Sequence, residues 1–121
     1  MKRNPVTPSL YAPDLEATVS YYVDVLGFEE TGNWLEDDKR TWAEVAFGEC
    51  RLWFFTHPLE GRPTAVMSGM LFVFVDDVDR VANRLKGKVP FRWGPEDEPY
   101  GLRELGIEDL NGYLLVFAAD I

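Results

Sequence analysis

At 121 residues the chain is one domain or two small halves sharing a core, and its 46% apolar content is too high for disorder. Its single cysteine excludes an internal disulfide and fits a reducing, cytoplasmic setting. The net charge of −9 argues against nucleic acid, whose phosphates it would repel.

Met1-Lys2-Arg3 is followed by Asn4-Pro5 and not by an apolar run, so no signal peptide is expected. Val6 to Ala12 reads as a strand, and Pro8, which cannot donate to a ladder, makes it an edge strand. Asp14 stands where an N-cap belongs. Leu15, Val19, Tyr22 and Leu26 then recur at helical spacing, and Gly27 closes the helix. Phe28 to Trp34 is a weak strand, and Leu35 to Arg40 a charged loop. Thr41–Phe47 and Cys50–Thr56 form a hairpin about Gly48-Glu49. The stretch 58–67 is a connector with two prolines and a glycine.

The pattern then restarts. Gly69 to Val75 is a nearly continuous apolar strand, the pattern of a strand covered on both faces, and its Met70–Val75 run is too short to span a bilayer. Asp76-Asp77 cap a helix with Val78, Val81, Ala82 and Leu85 on one face, ending near Gly87. Val89 to Trp93 is a strand, Gly94 to Gly101 an acidic loop, and two strands follow at 102–107 and 113–118. From Asp14 to Trp53 is 53 − 14 = 39 residues, and from Asp77 to Val116 is 116 − 77 = 39. The order strand, helix, strand, strand, strand therefore occurs twice, in pseudo-repeats of about 1–57 and 68–121 within a single domain. One helix covers one face of a four-stranded sheet, so two such units bury their other faces by curling toward each other around a cleft.

The segments Thr7-Pro8-Ser9-Leu10, Asp14-Leu15, Tyr21-Tyr22…Leu26-Gly27-Phe28, Leu52-Trp53-Phe54-Phe55-Thr56-His57-Pro58 and Ile107-Glu108-Asp109-Leu110-Asn111-Gly112-Tyr113 resemble the vicinal oxygen chelate superfamily. That group contains glyoxalase I, bleomycin-resistance proteins and extradiol dioxygenases. The Thr-Pro-x-Leu opening and the Phe-Phe-x-His-Pro segment are most similar to the bleomycin-resistance branch. The resemblance implies an α+β fold of two tandem βαβββ modules in a curved mixed sheet around a cleft, assembled as a homodimer. In the metal-dependent members, histidine and glutamate side chains hold a divalent ion. Carried over one by one, those positions fall on Thr7, Trp53, Met70 and Val116. None of the four is a normal ligand for such a cation, so neither a metal nor another cofactor is expected.

Aromatic side chains take their place. Alternation puts Arg51, Trp53 and Phe55 on one face of their strand, and register with Thr7, Met70 and Val116 makes it the cleft face. Trp34, Trp42, Phe72, Trp93 and Tyr100 join them as candidate ligand-binding residues. Arg51 and Arg103 would instead recruit a carboxylate or phosphate. Trp34 is followed by Glu36-Asp37-Asp38 and Trp93 by Glu96-Asp97-Glu98, a pairing suited to a flat cation. The leading expectation is a metal-free small-molecule binding protein that sequesters a flat, positively charged ligand in an aromatic cleft. The alternative is a lyase or dioxygenase-like enzyme of the same fold with a relocated metal, or with Glu44 or Glu104 as acid/base. A third reading is an interaction module whose aromatic faces close a dimer. Cys50 reads as an inert thiol, and His57, at a strand end, as a surface residue.

Overall fold

The structure, a computed structural model, describes residues 5–62 and 64–121, so Met1-Lys2-Arg3-Asn4 and the connector's Pro63 lie outside the described residues. The chain divides into two compact units, Met1–Ala65 and Val66–Ile121, with the boundary inside the stretch 58–67.

In the first unit, β1 (Ser9–Tyr11), a helical segment, β2 (Glu29–Glu36), β3 (Lys39–Phe47) and β4 (Cys50–Phe55) form a sheet of order β1-β4-β3-β2. β1 runs parallel to β4 and the other pairs are antiparallel. β1 is thus an edge strand, but it begins only after Pro8, whose carbonyl accepts from the Trp53 amide at 3.0 Å. Asp14 caps α1 (Leu15–Ser20), its carboxylate accepting from the Ala17 amide at 3.0 Å. Asp14→Ala leaves that amide unsatisfied and is expected to cost about 1 kcal/mol in a urea titration. The helix then widens into a π turn over Tyr21–Val25. It closes with Gly27 at φ 85 and a 2.9 Å bond from the Phe28 amide to the Tyr22 carbonyl. Leu15, Val19, Tyr22, Leu26 and Phe28 are buried on the side of Ala43, Val45, Leu52 and Phe54, with the Tyr22 and Phe54 rings 4.9 Å apart.

The charged loop expected at Leu35–Arg40 is a two-residue turn instead. β2 runs on to Glu36 and β3 starts at Lys39. Asp37 and Asp38 between them take φ of 50 and 63, which Asp adopts more readily than most residues.

In the second unit, β5 (Met70–Phe74), α2 (Val78–Leu85), β6 (Trp93–Asp97), β7 (Leu102–Glu108) and β8 (Leu114–Asp120) repeat the plan, with sheet order β5-β8-β7-β6. Asp77 caps α2 through the Arg80 amide at 3.1 Å. Val78, Val81, Ala82 and Leu85 are buried, as are Val73, Leu105, Ile107, Leu115 and Phe117.

Two expectations fail here. Val89–Arg92 is not a strand, and β6 occupies the first half of the expected acidic loop. Pairing of Trp93, Glu96 and Asp97 with Gly106, Glu104 and Arg103 overrides the poor strand preference of Gly, Pro, Glu and Asp. Nor is β5 covered on both faces. It is an edge strand, and Met70, Phe72 and Phe74 are 50%, 38% and 64% exposed while Val73 is buried.

The duplication is visible in the registers. Ser9 pairs with Trp53 and Phe72 with Val116, so 72 − 9 and 116 − 53 both give 63, the separation of the caps, 77 − 14. Among the described residues no helix is long and apolar enough to cross a membrane.

Candidate functional site

Each sheet has one face toward its helix and one face without a helix. Cross-strand partners share a face, so the helix-free face of the first unit can be read from the registers. Ser9 lies beside Trp53, Trp53 beside Glu44, Glu44 beside Gly32, Phe55 beside Trp42, and Trp42 beside Trp34. Arg51 lies on this face opposite Ala46. The sequence-derived residues Trp34, Trp42, Arg51, Trp53 and Phe55 are therefore together on one surface. Thr7 precedes β1 and is half-buried. The Trp42 and Trp53 rings meet edge to face at 5.3 Å. Gly32 lies beneath Trp42, and a Cβ there would stand 3.4 Å from the ring. Strand glycines of this kind are the sequence signal for a close approach.

Glu44 is a buried carboxylate at the centre of this face, 1% exposed. Trp53 Nε1 donates to its Oε2 at 2.7 Å, and the Thr31 hydroxyl donates to its Oε1 at 2.7 Å. Both donors are neutral, and a carboxylate accepts up to about four hydrogen bonds.

In the second unit the helix-free face carries Met70, Phe72 and Phe74 on β5, Leu114, Val116 and Ala118 on β8, and Leu102, Glu104 and Gly106 on β7. Trp93 lies flat on Gly106, where a Cβ would fall 2.5 Å from its ring. Glu104 is 3% exposed. It accepts from Trp93 Nε1 at 3.2 Å and from the Tyr100 hydroxyl. That bond, with help from the neighbouring carboxylates, pushes the Tyr100 phenol up to about 12.

Arg103 does not share this surface. Strand alternation turns it to the opposite side of β7, where it pairs with Asp79 of α2 and with Asp97, each at 2.9 Å. Its expected role as a ligand-facing cation fails on that parity. Nor do the acidic stretches hang as loops beside the tryptophans. Glu36 is the last residue of β2 and binds the Thr41 hydroxyl and His57 Nε2, which hold its carboxyl below the usual range. His57 is exposed at that contact. Burial pushes the Cys50 thiol up, away from the reactive thiolate.

The four positions at which metal-dependent proteins of the resembled group hold an ion do not fit one here. Thr7 offers a hydroxyl, Met70 a thioether and Val116 a buried hydrocarbon, while the Trp53 indole N–H is donated to Glu44. Among the described residues no group of three or more His, Cys, Asp or Glu side chains could hold a metal. A groove of about 440 Å³ beside α2 and another of about 1040 Å³ near Asp14, Arg40 and His57 contain none of the sequence-derived ligand residues.

A family model described as Glyoxalase/Bleomycin resistance protein/Dioxygenase superfamily matches residues 4–117. No curated protein matches the chain. Among solved structures, TioX from Micromonospora sp. ML1 is 22% identical with a TM-score of 0.78, over 98% of this chain and 100% of that one. TnmS3, an antibiotic-binding protein from Streptomyces sp. CB03234, is 24% identical with a TM-score of 0.78, over 100% and 99%. The bleomycin-binding protein of bleomycin-producing Streptomyces verticillus, solved with copper(II)-bleomycin, is 25% identical with a TM-score of 0.68, over 100% and 99%.

Proposed function

Because the chain belongs to the glyoxalase/bleomycin resistance protein/dioxygenase superfamily, we propose that it is a metal-free binding protein that sequesters a flat small molecule on its aromatic helix-free faces. The observation that carries this reading is the row of Trp34, Trp42, Trp53 and Phe55 on one surface, with Arg51 at its edge. Planar rings stack on such rows, and the indoles are fixed in advance by Gly32 beneath Trp42 and by Glu44 behind Trp53. The antibiotic-binding and bleomycin-binding proteins of the same fold support a ligand of that kind. Loss of the family's ligating side chains at Thr7, Trp53, Met70 and Val116 favours retention over turnover. The edge strands β1 and β5 favour a homodimer, and the single cysteine a cytoplasmic setting.

A second reading, acid/base catalysis by Glu44 or Glu104, draws on the burial of both carboxylates. One experiment separates the two. Purified protein is titrated with copper(II)-bleomycin and a panel of planar antibiotics, binding is followed by tryptophan fluorescence, and the recovered ligand is analysed by mass spectrometry. Stoichiometric quenching with unchanged ligand is expected, and Trp53→Ala should weaken binding about tenfold, or 1.4 kcal/mol. Chemical conversion of the ligand, or affinity indifferent to Trp53→Ala and Trp42→Ala, would overturn the proposal.

A further inference from the structure

The corner of the second unit around Glu104 carries a cost that the fold does not explain. Glu96 on β6 pairs directly with Glu104 on β7, so two carboxylates stand opposite each other on the helix-free face. Like charges in that relation destabilise a sheet. Glu98 lies next to them, its carboxyl held above the usual range by desolvation and by Glu96 and Glu104. No lysine or arginine pairs with any of the three among the described residues. Arg103, one residue from Glu104, is turned to Asp79 and Asp97, and Arg92 is paired with Glu108.

Two aromatic rings surround the same carboxylate. Trp93 and Tyr100 both spend their single donor on Glu104. Donating a hydrogen bond to a carboxylate makes each ring more electron-rich, which strengthens its attraction for a cation over its face. Trp93 has Gly106 under one side of its ring, so the ring cannot tilt toward the sheet. Tyr100 is exposed. The arrangement is two donor rings set on one buried carboxyl group, with a second one exposed beside it.

We propose that Trp93, Tyr100, Glu104 and Glu96 form a cation-recognition corner, which receives a quaternary-ammonium or cationic aromatic group of a ligand held on the second unit's helix-free face. This rests on the helix-free face being a ligand surface, and it fixes the charge of a ligand held on the second unit. In the first unit, Arg51 shares the face with Trp53 and opposes a cation there.

The test uses two tricyclic probes of one shape, N-methylacridinium and anthracenecarboxylate, titrated into the full chain under fluorescence and repeated at raised salt. The cation is expected to bind wild-type protein at least about tenfold more tightly than the anion. Glu104→Gln and Glu96→Gln should each lower the cation's affinity several-fold and leave the anion's unchanged or improved. In the absence of ligand, Glu96→Gln should also melt at a higher temperature, since it removes one of two opposed charges. Should Glu104→Gln fail to fold, the exposed Glu96 still decides the matter. Equal affinity for both probes, or a cation preference untouched by Glu96→Gln, would overturn the corner and leave the aromatic-face reading standing. Failure of both probes to bind would overturn both readings.

Discussion

A single methyl group at Gly94 is expected to cost at least about 3 kcal/mol, combining a strained left-handed backbone with an overpacked contact. Gly94 takes φ of 82, and a Cβ built on it would lie 2.1 Å from the carbonyl oxygen of Glu104 and 3.1 Å from the Glu96 amide. Both neighbours are backbone within the β6–β7 pair, so neither can swing aside as a side-chain tip would. Gly87 provides the control. Its φ is 80, but nothing lies within 4 Å of its Cβ position. Gly87→Ala should therefore cost only the conformational part, about 1 kcal/mol. Urea titrations of the two variants measure the difference, and equal losses would show that the Glu104 carbonyl moves freely. Because that carbonyl belongs to the residue that anchors Trp93 and Tyr100, Gly94→Ala should also weaken any ligand held there.

Phe54→Ala is expected to cost about 3–5 kcal/mol, the range for deleting a buried phenylalanine. Phe54 is fully buried, faces the helix side of β4 and packs against Tyr22. The void would open where the π turn meets the sheet, and the backbone there is already committed by the Phe28-to-Tyr22 bond. Phe55, the next residue, points to the other face and is half-buried. Phe55→Ala should cost clearly less in the same denaturation assay and act mainly on binding. Matching losses would contradict the assignment of faces.

The duplication and the helix caps were legible in the sequence because each rests on local chemistry. Asp14 and Asp77 cap as their positions suggest, and apolar spacing sets the buried faces of both helices. The limits of β2 and β6 were not legible. Glu, Asp, Gly and Pro discourage strands locally, yet at Glu96 and Asp97 the neighbouring strand supplies the partners. β5 misled in the other direction, since its apolar run reflects a fringe position and not cover on both sides. Along β4, alternation puts Arg51, Trp53 and Phe55 on one face, and the β3–β4 register has them there. The same alternation along β7 separates Arg103 from Glu104, and applying it there removes Arg103 from the surface. The anchoring of Trp53 by Glu44 and of Trp93 by Glu104 depends on which strands are neighbours and in what register, which no local pattern encodes.

The shared spacing of 63 has a consequence for how such a chain can change. Leu52 and Phe54 correspond to Leu115 and Phe117, and Leu15 and Tyr22 to Val78 and Leu85, so the helix-side positions have stayed hydrocarbon or aromatic in both copies. On the reverse side Trp53 answers to Val116 and Ser9 to Phe72. Each ribbon thus writes its architecture on one side and its taste on the other. A lineage can rewrite the second text without misspelling the first.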